Sequence, residues 1–437
     1  MNRAAAPELV RAIGFWGLVG MCINAVVGSG VFLLPSESFL ILGPFSLWAP
    51  LLFAVPVFIL VLCFAEAASH FSEPGGAFLY AGTAFGDFVG FETGWMNWLA
   101  RITSLAALAN GFVLSLARLW PQAAQPGTRA ALIVGSIAAL AAIHMLGVRY
   151  GAATIYALTV GKLLPLLLFI GVALALFPHN PVPASFRLPG PGTDWSEAAL
   201  LLLFAYAGFE NLGVPAGEYR DPRRDLPLAL LAGTLGIAAL YSLAQLAALA
   251  ALPDLGATRT PIADAAAALM GPAGALLITA GAAVSILGTN SGTMLEGSRM
   301  LYALARGRRP YRAVAFVHPR FHTPVVAITI HAAVATALAL GGTFAKLAVL
   351  SAVARMTTYL FTCAAVPRLR RLSPGFRTPG LWVPVAGTLV SLVLFLTLKR
   401  VHLVAAVAAL AVGAALYGLA RRGGPPAGPE PSSARRT

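Results

Sequence analysis

Apolar stretches follow one another along this chain, separated only by short polar connections rich in acids and arginines. A helix needs about 20 apolar residues to cross roughly 30 Å of hydrocarbon. On that scale the pattern predicts twelve membrane-spanning helices. They fall near residues 13–41, 45–69, 84–118, 129–147, 150–177, 196–218, 227–252, 272–304, 323–341, 345–367, 380–398 and 401–420.

Composition reinforces this picture. Of 437 residues, 58% are hydrophobic and 11% charged, and the mean hydropathy is +0.81. A soluble domain carries about 25% charged residues, so a chain this poor in charge cannot cover itself with water. The net charge of +14 raises the question of nucleic acid. Its distribution answers otherwise: with a cytoplasmic N-terminus, 20 of the 30 Lys and Arg fall on the cytoplasmic side and 7 on the other. That asymmetry follows the positive-inside rule, and places both ends in the cytoplasm and the protein in the inner membrane. No nucleic-acid partner is expected. The remaining three basic residues, Arg101, Lys162 and Arg355, lie inside predicted spans.

Cys22, Cys63 and Cys363 sit in apolar runs, without the spacing of a disulfide framework or a metal site. The histidines, including His144 and His331, show no ligand spacing, and no catalytic or phosphate-binding motif is present. No cofactor is expected. The first span is too long for a cleavable signal, and the Pro-, Gly-, Ser- and Arg-rich tail at 421–437 reads as disordered.

Glycine and proline then mark where spans break. Unwound backbone at membrane depth survives only where it is buried or lines a cavity. The first span holds Val27-Gly28-Ser29-Gly30-Val31-Phe32 before Pro35. The sixth holds Phe204-Ala205-Tyr206-Ala207-Gly208-Phe209-Glu210 before Gly213 and Pro215. They lie five spans apart, the spacing of two five-helix halves in inverted repeat, and such a matched pair points to a transporter binding site. A half-helix starting after Gly30 offers free N–H groups and a positive end to a carboxylate. One ending before Gly208 offers carbonyls and a negative end to an ammonium. A zwitterionic amino acid satisfies both. The bland alternative is that these glycines serve close helix packing alone.

Several blocks resemble the amino acid–polyamine–organocation (APC) superfamily of transporters. They are Gly28-Ser29-Gly30-Val31-Phe32-Leu33-Leu34-Pro35, Pro74-Gly75-Gly76-Ala77-Phe78-Leu79-Tyr80, Phe85-Gly86 with Gly94-Trp95, and Gly208-Phe209-Glu210. Gly217-Glu218, the run Asp221-Pro222-Arg223-Arg224-Asp225-Leu226-Pro227, and Gly297-Ser298-Arg299-Met300-Leu301-Tyr302-Ala303-Leu304-Ala305-Arg306 complete the set. The resemblance covers about residues 10–370 in order and spacing.

It implies an all-α, twelve-helix membrane protein with a LeuT-like five-plus-five inverted repeat. Helices one and six would be broken and substrate held between them. The divisions follow: a cytoplasmic lead at 1–12, repeats at 13–177 and 178–370, accessory spans at 371–420 and the tail. Val27, Gly28, Ser29, Gly30, Phe204, Ala205, Ala207 and Gly208 become the expected substrate-binding residues, with Arg101 beside them.

Ionisable groups inside spans are functional candidates. By the resemblance, Lys162 in Gly161-Lys162-Leu163-Leu164-Pro165 stands where sodium-coupled relatives hold a cation. It would reach first-span carbonyls near Val27 and eighth-span hydroxyls such as Ser285 or Thr289. Either it releases its proton during transport and couples protons to substrate, or it is a permanently charged strut suited to exchange. Glu210 matches a residue linked to pH sensing and gating in the family's acid-resistance exchangers, or is simply a carboxylate bonded to backbone. Phe204 stands at their gating aromatic, or only packs. Arg101, where cation carriers keep neutral residues, would repel cationic substrates. It either binds a substrate carboxylate or neutralises Glu210. Arg355 either snorkels or pairs with a buried acid, and gains no assigned role.

The reading is a secondary active transporter of a small, neutral amino acid, by proton symport or exchange. Within the class the rivals are an acidic amino acid carrier using Arg101 and an amino acid/amine exchanger. From other classes they are an intramembrane lipid-handling enzyme and a non-transporting receptor. The partners are the amino acid, protons if coupled, and the bilayer; the sequence does not define an oligomeric state.

Overall fold

A computed structural model describes residues 13–71, 75–176, 188–214, 216, 219–252, 254–372, 374–396 and 398–422, with backbone alone for 148–157 and 422. The lead at 1–12, nearly all of the tail, and Pro74, Pro215, Gly217 and Glu218 lie outside the described residues. The described chain is built from helices: α1 (Phe15–Val26), α2 (Gly30–Leu42), α3 (Ala49–Ser69), α4 (Ala77–Phe85), α5 (Asp87–Ala117), α6 (Pro126–Leu146) and α7 (Val148–Leu176). There follow α8 (Trp195–Tyr206), α9 (Pro222–Ala251), α10 (Pro261–Ala305), α11 (Val325–Gly341), α12 (Phe344–Leu369), α13 (Trp382–Leu396) and α14 (Arg400–Arg422).

Among the described residues, nine helical stretches are long and apolar enough to cross a membrane. Four apolar helices, α1, α8, α11 and α13, are shorter, at 12 to 17 residues. Two of the short ones are products of helix breaks. The predicted first span divides into α1 and α2. The predicted sixth, 196–218, keeps its helix only to Tyr206, then makes one 3-10 turn at Phe209–Asn211. The chain past that turn is pinned by a parallel bridge between Ile13 and Tyr219 and by the Arg220 N–H donating to the Ile13 carbonyl at 2.9 Å. The predicted eighth span is longer than expected, because α10 continues through a kink at Gly271.

Helix α5 lies at the centre, packed mainly on α10 and α12, while α9 holds α1 and α3. The outer surface is apolar: Trp16 is 80% exposed, Leu396 72% and Val404 68%. In water such a surface would drive association; against hydrocarbon it is the expected solvent face.

Polar groups at helix ends are tied down in pairs. Glu66, at the end of α3, accepts from Arg370, and from the Thr378 N–H at 3.0 Å and hydroxyl at 2.6 Å. Asp194 caps α8 by accepting from the Glu197 N–H at 3.0 Å, and Lys399 bridges Asp194 at 2.8 Å and Glu197 at 2.7 Å. The Lys399 hydrogen bond, then the Glu197 N–H, hold the Asp194 carboxyl below its ordinary range. A lowered folded-state value stabilises the fold at neutral pH, and that contribution disappears as pH falls through the lowered value. Asp194→Ala is therefore expected to cost about 1 kcal/mol at neutral pH and nothing under strongly acid conditions. Thermal melting in detergent across pH measures both.

Candidate functional site

The two helix breaks face each other. Val27, after α1, turns to an extended conformation, and α2 restarts at Gly30. In the second break Ala207 is extended and Gly208 takes φ 134°. A Cβ on Gly30 would stand 3.0 Å from the Ala205 Cα. One on Gly208 would stand 2.7 Å from the Ala25 carbonyl carbon. Glycine is needed at Gly208 for both backbone conformation and approach. Gly208→Ala is expected to cost at least about 1–3 kcal/mol from backbone strain alone, read as a lowered melting temperature.

Each break frees backbone groups that a continuous helix would pair. Tyr241 of α9 collects carbonyls from both: its hydroxyl lies 2.8 Å from the Ala205 oxygen and 3.0 Å from that of Val26. At the start of α2, Ser29 makes no capping bond and its hydroxyl is buried without a partner among the described residues. The first N–H groups of α2 and its positive end therefore point at the space between the breaks.

Behind the α1 break sits Lys162, fully buried on α7. Its Nζ donates to the carbonyls of Val27 at 2.6 Å and Asn24 at 2.9 Å, and to the Thr289 hydroxyl at 3.2 Å. An ammonium has three donors, and here three neutral oxygens receive them. Ser285 adds its hydroxyl 3.3 Å from the Val27 carbonyl and 3.4 Å from that of Gly28. One residue from α7 thus ties the end of α1 to α10.

On the other side lies a cluster of charges. Glu210 pairs with Arg101 of α5 at 2.5 Å and with Arg355 of α12 at 2.7 Å. It also accepts from the Gly208 N–H at 2.8 Å and the Tyr359 hydroxyl at 3.4 Å. Arg101 reaches on to Glu296 of α10 at 3.1 Å. Arg355 donates further to Ser351 at 2.7 Å and Ser104 at 3.2 Å, and its guanidinium lies 5.9 Å from the Phe204 ring centre. Two arginines and two glutamates cancel in formal charge, as burial requires.

Between these groups is a small cavity of about 20 Å³, room for roughly one water molecule. Gly28, Ser29, Gly30, Arg101, Phe204, Ala205, Ala207 and Thr289 line it, all named from the sequence. Val27, Gly208, Lys162, Glu210 and Ser285 stand behind the wall, through the bonds just described. Of the two expectations for Arg101, pairing with Glu210 is the one the geometry displays, and Arg355 takes the same acid.

Sequence reasoning did not single out Asn24, Ser104, Tyr241, Thr293, Glu296 and Tyr359. Glu296 carried a signal, an acid within a predicted span. The others are ordinary polar residues whose position depends on helix register. Among the described residues no group of His, Cys, Asp and Glu is placed to hold a metal.

Comparison with known proteins gives the family of the chain. The chain is 29% identical over 379 residues to the serine/threonine exchanger SteT of Bacillus subtilis, covering 84% of this chain and 85% of that protein. It is 29% identical over 430 residues to an uncharacterized transporter of Mycobacterium tuberculosis, covering 96% and 93%. A second such transporter from that organism matches at 27% over 390 residues, covering 83% and 81%. The family described as amino acid permease matches residues 13–415, and the chain belongs to that family of membrane transporters.

Proposed function

We propose that the protein exchanges small neutral amino acids across the inner membrane by alternating access. One observation carries this reading: two helix breaks abut across one cavity, offering the N–H end of α2 on one side and the carbonyl ends of α1 and α8 on the other. A zwitterion's carboxylate and ammonium match those ends. The spacing of the breaks supports a five-plus-five inverted repeat within twelve crossings. The 20-to-7 distribution of basic residues supports cytoplasmic ends.

Neutral substrates are favoured over acidic ones because Arg101 and Arg355 are already balanced by Glu210 and Glu296. An acidic side chain would have to compete with Glu210 and Glu296 for Arg101, and with Glu210 for Arg355. Hydroxyls of Ser104, Thr289 and Thr293 at or beside the cavity make serine and threonine the first candidates, the two amino acids named for the B. subtilis exchanger. Exchange is favoured over proton symport at Lys162 because its ammonium is fully satisfied by neutral oxygens. Held by three oxygens in this way, Lys162 ties α1 to α7 and α10 as a strut.

A thermal-shift panel on purified protein tests the substrate class. Serine, threonine and alanine should raise the melting temperature, whereas aspartate, glutamate and arginine should not. Stabilisation by aspartate alone would reverse the assignment.

A further inference from the structure

The two glutamates of the charge cluster are not equivalent. Glu210 has side-chain exposure of 0% and receives two guanidinium groups, a backbone N–H and a phenolic hydroxyl. Among the described residues Glu296 is held by Arg101 alone, at 3.1 Å through Arg101 Nη1, and its side chain is 14% exposed. Thr293, one turn before it on α10, lines the cavity, as does Arg101 itself. Glu296 is therefore the acid that can lose its partner without dismantling the cluster, because Arg101 keeps Glu210 through its other nitrogen at 2.5 Å.

The surroundings carry the same asymmetry. Around this end of the cluster, several polar atoms are buried without partners among the described residues: the Arg101 Nε, both polar side-chain atoms of Asn97, and both ring nitrogens of His331. His331 of α11 packs directly on Gly297, the residue after Glu296. The other ionisable groups nearby are accounted for. Arg299, on the same helix, bonds Ser298 at 3.2 Å. His144 of α6 bonds Ser291 at 3.0 Å. Lys162 of α7 bonds Thr289, nearly two turns back. Arg355 and Tyr359 of α12 point to Glu210.

We propose that Glu296 is a proton-binding site whose occupancy sets the affinity of the cavity for substrate. The inference rests on the amino acid transport reading above. When the Glu296 carboxylate takes a proton from water it becomes a neutral acid, and its ion pair with Arg101 Nη1 breaks. The cluster then carries one net positive charge, and an Arg101 N–H facing the cavity is free to donate to the substrate carboxylate. Deprotonation returns that N–H to Glu296 and withdraws it from the substrate. Protons and amino acid thereby favour each other's binding, without Lys162 changing its charge.

The test is the affinity for serine, threonine and alanine measured by calorimetry on purified protein between about pH 5 and 8. Wild type should bind more tightly at low pH, by roughly tenfold across the range, the worth of one charge-assisted hydrogen bond. Glu296→Gln, a permanent mimic of the protonated acid, should bind tightly at every pH with a flat profile. A variant that keeps the wild-type slope would overturn the proposal while leaving the transport reading intact. Binding of none of the three at any pH would overturn the transport reading and this proposal with it. Should Glu296→Gln not fold, proton uptake on adding serine to weakly buffered wild type decides the matter. Uptake is expected, and its absence throughout the range contradicts the site.

Discussion

Glu210→Gln should destabilise the protein by about 3–5 kcal/mol, the cost of leaving a buried charge without its partner. Glu210 is the only acid that touches Arg355 among the described residues, and it shares Arg101 with Glu296. Glutamine keeps the volume and one acceptor but removes the charge, so Arg355 remains buried, 2% exposed, against neutral hydroxyls. The same change loosens the second break, because the carboxylate also accepts from the Gly208 N–H at 2.8 Å. A double variant, Glu210→Gln with Arg355→Met, should recover much of the lost stability, since the unpaired cation leaves with its partner. Thermal unfolding in detergent reads both. A single variant that melts like wild type would mean the cluster contributes little to the fold.

Lys162→Ala should lower exchange at least tenfold, and the protein should also lose stability. The substitution takes the ammonium from the carbonyls of Asn24 and Val27 and leaves them under-satisfied, with only the longer hydroxyl contacts of Thr289 and Ser285, in a fully buried site. An unsatisfied buried group costs about 1–3 kcal/mol, whereas about 1.4 kcal/mol already corresponds to a tenfold change in rate or equilibrium. The α1 break would then lose its tie to α7, while the weaker hydroxyl contacts from α10 remain. Lys162→Arg should not rescue function. A planar fork of five donors cannot reproduce a compact ammonium among three convergent oxygens. Initial rates of exchange, measured beside melting curves, separate lost function from lost fold.

Much of the site was legible in the sequence because its main features are backbone features. Gly28, Gly30 and Gly208 in otherwise apolar spans announce where hydrogen-bonded helix gives way, and the structure breaks its helices there. Lys162 was legible for a related reason: a cation inside a span must find oxygens, and freed carbonyls near Val27 are a natural supply. The pairing of Arg101, Arg355, Glu210 and Glu296 was less accessible. Those four groups come from α5, α12, the α8 break and α10, and several pairings fit the same sequence. Which acid meets which guanidinium depends on rotation about each helix axis, which apolar periodicity does not resolve when a span is buried all round. Tyr241 was hidden for the same reason, its hydroxyl being one of many in apolar helices until α9 is seen to cross both breaks. The sixth span misled in length because its apolar composition continues past Tyr206 while the backbone does not stay helical.

The central claim is exchange of neutral amino acids through the cavity between the two breaks, and proteoliposomes test it most directly. Purified protein would be reconstituted with unlabelled serine inside or with buffer alone. Uptake of labelled serine would then be followed with and without an inward proton gradient. Uptake that requires internal serine and is not driven by the gradient alone is the predicted result, with Lys162→Ala reducing it. Gradient-driven accumulation into vesicles holding no amino acid, lost in Lys162→Ala, would contradict exchange and make Lys162 the coupling group.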